Sequence, residues 1–193
     1  MTIAQATQIE SEHVPGDKDV WVFVLGEMVI FSSYFFVYAC LNRSVNEPVF
    51  AASRHHLNQT LALVNTLILL TSSLLIALSV QATRKRDYRV ATRFVELGAG
   101  CGVLFLLLKG YEWYAKLSQG ITLGTNAFFM HYFVMTGVHV LHVLIGLVFL
   151  AILRLELRTR AQPRVSLMEV GATYWHMVDF LWFLIFALLY LMR

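Results

Sequence analysis

FFMHYFVMTGVHVLHVLIGLVFLAILR, residues 128–154, is the stretch that decides the fold. As a helix rising 1.5 Å per residue it is long enough to cross a bilayer, and it is almost wholly apolar. It nevertheless carries three histidines. On a helix with about 100° per residue, its polar and small residues share one stripe roughly 80° wide: His131, Met135, His139, His142 and Gly146. Polar side chains at membrane depth face protein or water, so this segment predicts neighbouring helices.

The composition is that of an integral membrane protein. Of 193 residues, 58% are hydrophobic and 14% are charged, and the mean hydropathy is +0.65. These values lie outside the range of soluble domains. The net charge of +3 comes from basic residues in short connections, so we expect no nucleic-acid partner. Residues 1–19 are polar and lack a signal-peptide pattern, so we expect a cytoplasmic tail and a retained first helix.

Five segments are long and apolar enough to cross about 30 Å of hydrocarbon. They predict an all-α bundle of five transmembrane helices in one domain, residues 20–193. An odd number of segments argues against a simple inverted-repeat transporter. The predicted helices are 20–41, 58–81, 94–116, 128–154 and 167–192.

Basic residues predict the orientation of the bundle. They are concentrated in the second-to-third connection, from Arg84 to Arg93, and in the fourth-to-fifth connection, from Arg154 to Arg164. The positive-inside rule places these connections and the N-terminus in the cytoplasm and the C-terminus in the periplasm. Few basic residues are expected on the other side: Arg43, Arg54, Lys116 and Arg193.

Small and polar residues predict where helices pack closely and where they begin. The second segment repeats such residues every seven positions, which is typical of a helix interface: Asn58, Asn65, Ser72 and Ser79. The third contains three glycines suited to close contact: Gly98, Gly100 and Gly102. Thr125 or Asn126 is expected to cap the fourth helix, and Ser166 and Glu169 form a capping-box pattern before the fifth.

Ionisable residues in three segments predict a buried polar layer. Glu27 lies in the first segment, and His176 and Asp179 share a face of the fifth. Counting depths along antiparallel helices brings four groups to similar levels: Glu27, His142, His176 and Asp179. Lys109 and Glu112, three residues apart, are expected to pair, with Lys109 snorkelling towards the interface. We expect secondary polar contacts at Glu112, His131 and His139.

Three interpretations of the polar layer remain open from the residues alone. It holds helices together by hydrogen bonds, or binds a metal or haem as in a small membrane cytochrome, or relays protons as in a transporter. The spacing of His139 and His142 does not suit opposite faces of one haem. A relay would need access for water from both sides.

Two consecutive motifs resemble a known family. TGVHVLHVLIG in segment four and EVGATYWHMVDFLW in segment five are similar to the paired signature of subunit III of haem-copper oxidases. Glu27 in WVFVLGEMVIFSSYFF matches that family's membrane glutamate, and KGYEWY matches its third-helix motif. The resemblance covers about residues 17–192.

The resemblance implies a non-catalytic subunit in a bacterial inner membrane. Such a subunit carries no redox centre, packs against the catalytic subunit that holds haem with copper or iron, and supports proton uptake and lasting activity. The partner implied is an oxidase or, from the short loops, a nitric-oxide reductase. Family members also hold phospholipid in a cleft, although this chain lacks the first two helices of the longest members.

Overall fold

The chain folds as antiparallel helices joined by short turns. The computed structural model describes residues 18–43, 47–55 and 57–191. Five of its helices are long and apolar enough to cross a membrane, so the predicted five-helix architecture is confirmed. Within the described ranges the helices are α1 (Lys18–Phe36), α2 (Glu47–Arg54), α3 (Gln59–Arg84), α4 (Tyr88–Leu117), α5 (Ala127–Thr159) and α6 (Val165–Phe186).

Several helix boundaries differ from the predicted ones. α4 begins at Tyr88, because the Asp87 carboxylate accepts the N–H of Val90. The basic connection before α4 is therefore a tight turn, and Arg89 and Arg93 are helical. α1 and α6 continue as π-helical segments, Val37–Arg43 and Ala187–Leu191. The short helix α2 was not predicted, and residues 1–17, 192 and 193 lie outside the described residues.

Two predicted helix starts have different outcomes. Asn126 caps α5 by accepting the N–H of Phe129, which confirms that prediction. The capping box before the last helix is wrong, because α6 starts at Val165 without a side-chain cap. Glu169 instead accepts a hydrogen bond from Arg84 at 2.7 Å. A cross-helix ion pair has replaced the local cap expected from the pattern.

Four helices form a ring in the order α3, α4, α5, α6, with α6 packed back against α3. α6 is the most buried of the five spanning helices, and α1 is the least buried. α1 packs from outside the ring, mainly against α6. The predicted stripe on α5 faces the protein interior: His131, Met135, His139, His142 and Gly146 are all buried.

Small residues allow the ring helices to approach one another. The Ser72 hydroxyl donates to the Gly98 carbonyl at 2.8 Å, joining α3 to α4. Ser72 is fully buried, as are Asn65 and Ser79. Asn58 does not share this packing role, because it is an exposed residue that caps α3 through the N–H of Leu61.

Trp175 lies where all four ring helices meet. A Cβ added at Gly102 on α4 would stand 2.8 Å from its ring, and one at Gly146 on α5 would stand 2.7 Å away. Its indole N–H donates to Ser72 on α3 at 3.0 Å. Gly100, by contrast, has nothing within 4 Å of such an atom. Only some of the glycines therefore serve close packing.

We predict that Gly102→Ala lowers the thermal stability of the purified protein. The Trp175 ring is fully buried and hydrogen-bonded, so it cannot yield to a new methyl group, and overpacking costs about 1–3 kcal/mol. Gly100→Ala is the matched control on the same helix and should be neutral or slightly stabilising, because alanine favours the helix. Thermal denaturation in mild detergent measures both, and equal melting temperatures would contradict the packing argument.

Candidate functional site

Glu27 on α1 faces His142 on α5. Glu27 Oε2 lies 3.4 Å from His142 Nε2, and the two side chains are 19% and 11% exposed. His142 Nδ1 is 2.8 Å from the Val138 carbonyl. A carbonyl can only accept, so Nδ1 carries a hydrogen, and Nε2 is left to face the carboxyl group. The pair accommodates one shared proton, either on Glu27 or on the imidazole.

Aromatic residues surround the Glu27 and His142 pair. Phe31 packs edge-on against the His142 ring at 5.5 Å between centroids. The Tyr174 hydroxyl donates to the His142 carbonyl at 3.3 Å, and its ring stacks with Phe23. Glu27, His142 and Tyr174 line a mostly apolar surface cavity of about 670 Å³. The pair therefore sits at the edge of the bundle, where α1 joins α5 and α6.

The other two residues of the predicted layer form a separate group. His176 Nδ1 shares a hydrogen bond of 2.7 Å with the Ser73 hydroxyl on α3. The Asp179 carboxyl group is a neighbour of Ser73. Neither of its buried oxygens accepts a hydrogen bond from a described residue. No hydrogen bond or ion pair within the described ranges joins this group to Glu27 or His142. The structure thus contains one polar group between α1 and α5, and another between α3 and α6.

A buried charge cluster lies in the half of the bundle near the C-terminal end of α4. Lys109 Nζ donates to Glu112 Oε2 at 2.9 Å, to Tyr132 at 3.2 Å and to Tyr190 at 3.1 Å. Tyr190 donates to Glu112 Oε1 at 2.8 Å, and Lys116 Nζ is 3.9 Å from that oxygen. These five residues, which we call the α4 charge cluster, connect α4, α5 and the end of α6.

Lys109 shows why this cluster was not predicted in full. Its pairing with Glu112 is confirmed, but the predicted snorkelling is wrong, because the residue is 1% exposed. Its ammonium group lies 4.7 Å from the Tyr132 ring centroid and 5.1 Å from that of Trp182, in the range of cation–π contacts. The available signal was the spacing of Lys109, Glu112 and Lys116, which puts three charges on one face of an apolar helix.

The remaining α5 histidines occupy aromatic surroundings. His131 Nδ1 is 2.8 Å from the Tyr34 hydroxyl on α1. Among the described residues, no hydrogen bond or ion pair joins His131 to Glu112. His139 is fully buried between the Phe105 and Trp182 rings, at 5.6 and 5.2 Å between centroids. Neither ring nitrogen of His139 finds a hydrogen-bond partner among the described side chains and backbone groups.

Arginine and glutamate residues pair at the opposite end of the ring. Glu96 accepts from Arg154 and Arg158, each at 2.6 Å. Glu156 pairs with Arg160 and Arg164 at 3.0 Å. Arg164, in the turn between α5 and α6, donates to Glu156 Oε1, and this hydrogen bond raises the pKa of Arg164. Together with Arg84 and Glu169, these pairs neutralise much of the charge on one side of that end.

No group of three or more histidine, cysteine, aspartate or glutamate residues is placed to hold a metal ion within 18–43, 47–55 and 57–191. His139 and His142 point to different neighbours, the first to two aromatic rings and the second to Glu27. The polar side chains described above instead contact one another, or aromatic rings, across neighbouring helices.

Comparison with known proteins identifies consistent relatives. Residues 16–193 match the family described as cytochrome c oxidase subunit III. A cytochrome c oxidase subunit 3 of Thermostichus vulcanus is 32% identical over 98% of this chain and 96% of its own length. A quinol oxidase subunit 3 of Bacillus spizizenii is 29% identical over 89% and 84%. In Aeropyrum pernix a haem-copper oxidase subunit I+III is 31% identical over 93% of this chain, which spans 24% of that longer protein.

We predict that Lys109→Met destabilises the protein by a few kcal/mol, since it leaves Glu112 buried without its nearest cation. The double variant Lys109→Met with Glu112→Gln should recover part of that loss, because both charges of the pair are then removed together. Lys85→Met makes the same change at an exposed turn residue and serves as the control. Unfolding in detergent measures the free energies, and a Lys109→Met loss no larger than the control's would contradict a buried pair.

Proposed function

This chain belongs to the cytochrome c oxidase subunit III family, and we propose that it serves as the non-catalytic membrane subunit of a haem-copper oxidase. The helices supply a membrane scaffold, and the Glu27 and His142 pair supplies a proton-holding group at the edge of that scaffold. In this proposal the pair supports proton uptake by the catalytic subunit and so prolongs its activity.

The contact between Glu27 and His142 carries the proposal. Because His142 Nδ1 is committed to the Val138 carbonyl, any proton between the two side chains lies on Nε2 or on Glu27 Oε2. The first arrangement is an ion pair and the second is two neutral groups, and both have a net charge of zero, so a proton can change sides without changing the net charge of the site. A group of this kind can accept and deliver one proton where water reaches it.

The proposed partner is the large subunit that bears haem and copper. The protein from Aeropyrum pernix, named subunit I+III, supports a close association of two such parts, because both names are joined in one chain. We place the site of haem and copper in that partner. The relatives' names favour an oxygen-reducing oxidase, and association with a nitric-oxide reductase stays a prediction from the sequence.

The proposed location is the inner membrane of a bacterium, with the N-terminus and the arginine-rich end in the cytoplasm. The positive-inside rule supports this orientation, since the arginines of the α3–α4 turn and of the α5–α6 connection lie at the same end.

We also propose that the cleft between α1, α3 and α6 holds a phospholipid. Its walls are mainly apolar and include Trp21, Met28 and Phe180, while the Arg84 and Glu169 ion pair lies at one end. An apolar groove with charged groups at one end matches the chemistry of an acyl chain below a headgroup. Described residues of α1, α3 and α6 line this cleft.

We predict that Glu27→Gln shortens the time over which the intact complex keeps turning over, with little effect on its initial rate. A glutamine cannot exchange a proton with His142. Because the proposed role of the pair is to support proton uptake by the catalytic subunit, we expect its loss to shorten activity over many turnovers and to leave the initial rate nearly unchanged. Glu96→Gln is the matched control, the same change in a carboxylate that pairs with arginines. Activity is followed over many turnovers in proteoliposomes. Equal lifetimes for the native complex and the Glu27→Gln complex would refute the role of the pair.

A further inference from the structure

Four basic residues at the α3–α4 turn have no acidic partner. Lys85, Arg86, Arg89 and Arg93 are all exposed, and no ion pair within the described part of the chain involves them. The same end of the ring pairs its other arginines with Glu96, Glu156 and Glu169. We call the four residues the basic patch. Its positive charge is concentrated on one side of the molecule, and no acidic side chain of the described residues forms an ion pair with it.

Asp87 lies inside the patch but does not neutralise it. Its carboxylate accepts the N–H of Val90 at 3.2 Å and caps α4. Oδ1 of Asp87 is therefore directed to the helix backbone, and no ion pair from Asp87 to a neighbouring cation is formed among the described side chains. With Asp87 counted, three positive charges remain unbalanced within nine residues.

Arg86 has a backbone conformation that favours glycine. Its φ is +62°, and it is the only non-glycine residue with positive φ in the described ranges. For a residue with a side chain this conformation is uncommon and costs about 1 kcal/mol. A glycine would form the same turn more easily, because it adopts positive φ without strain.

The face of α4 below the patch is apolar and exposed along its length. At about 100° per residue, Leu97, Gly100 and Leu104 lie within about 40° of Arg93 around the helix. Leu97 is 58% exposed and Leu104 is 45% exposed, and a side chain added at Gly100 would meet nothing within 4 Å. We call these three residues the α4 track. It contains a shallow notch between two leucines.

The distance from Arg93 to Leu104 along the helix is about 16 Å, which is close to half of the hydrocarbon thickness. With the apolar residues of α4 placed in the hydrocarbon, the basic patch stands at the height of lipid headgroups and the α4 track extends beneath it through one leaflet. Basic residues next to a membrane attract anionic lipids by about 1 kcal/mol each.

We propose that the basic patch and the α4 track together bind an anionic glycerophospholipid, with its phosphate at the patch and an acyl chain along the track. This site lies on α4 and is separate from the cleft between α1, α3 and α6. An acidic surface of a partner protein would also complement the patch, but it would have no need of an exposed apolar track of one leaflet's depth directly below. Because the apolar track continues directly from the basic patch, a lipid with an anionic headgroup and an acyl chain fits the site better than an acidic protein surface does.

The test uses the intact complex in nanodiscs that contain a phosphatidylglycerol with a photoactivatable acyl chain. Mass spectrometry then locates the label in the chain after irradiation. We expect labelling of the segment 97–107, displaced by unlabelled phosphatidylglycerol but not by phosphatidylcholine or inorganic phosphate. The double variant Arg89→Gln with Arg93→Gln should weaken binding roughly 30-fold, since each charge contributes a factor of about five.

Two further variants separate charge from folding. Arg158→Gln with Arg160→Gln removes the same charge at the same end, and Glu96 and Glu156 each keep another arginine partner; this control should bind lipid as the native protein does. Arg86→Gly should weaken binding about fivefold while keeping or raising the melting temperature, because glycine accepts positive φ.

Four results would overturn the proposal. Equal labelling by the phosphatidylcholine analogue would show that charge does not select the lipid, and an equal loss of labelling in the control pair would show a general surface effect. Displacement by inorganic phosphate would indicate a site for free anions. Loss of the catalytic subunit from the complex of the Arg89→Gln, Arg93→Gln variant, with lipid labelling unchanged, would indicate an acidic protein surface as the occupant.

Discussion

Trp175 is the residue at which the four ring helices meet. Its ring lies against Gly102 on α4 and Gly146 on α5, and its N–H donates to Ser72 on α3. In a bilayer, apolar surfaces gain little by leaving lipid, so helices associate through close van der Waals packing and hydrogen bonds between them. One large, fully buried side chain of α6 supplies both. The rest of the ring depends on the spacing between helices that this contact sets.

The same constraint explains the polar side chains on either side of Trp175. Towards the C-terminal end of α4, the α4 charge cluster joins three helices through Lys109, Glu112 and two tyrosines. At the edge of the ring, Glu27 and His142 attach α1, which otherwise exposes most of its surface to the surroundings. A buried charge left alone would be costly, whereas paired groups fix how neighbouring helices are rotated. The two sites differ in their surroundings. Lys109 and Glu112 are enclosed within the bundle, whereas the Glu27 and His142 pair borders a surface cavity.

The sequence allowed the spanning helices and the buried face of α5 to be predicted, because hydropathy and helical periodicity depend only on residue order. It did not predict the direction in which Lys109 points, since a long side chain can reach either the interface or the interior, and only tertiary packing decides between them. It also suggested one polar layer from estimated depths. Depth does not specify rotation, and the structure turns Glu27 and His142 towards each other while His176 contacts Ser73. The early start of α4 depended on Asp87, a cap lying within a charged run that hydropathy treats as a loop.

We propose that this chain is a scaffold of paired polar groups and that the redox chemistry takes place in its partner subunit. The most direct measurement is the optical spectrum of the complex purified from its native membrane through a tag on this chain, before and after the subunits are separated. We expect stoichiometric haem absorbance in the intact complex. On separation the haem should stay with the large subunit, and this chain should show no Soret band. A Soret band with stoichiometric iron on the separated chain, or an intact preparation without any haem-bearing subunit, would contradict the proposal.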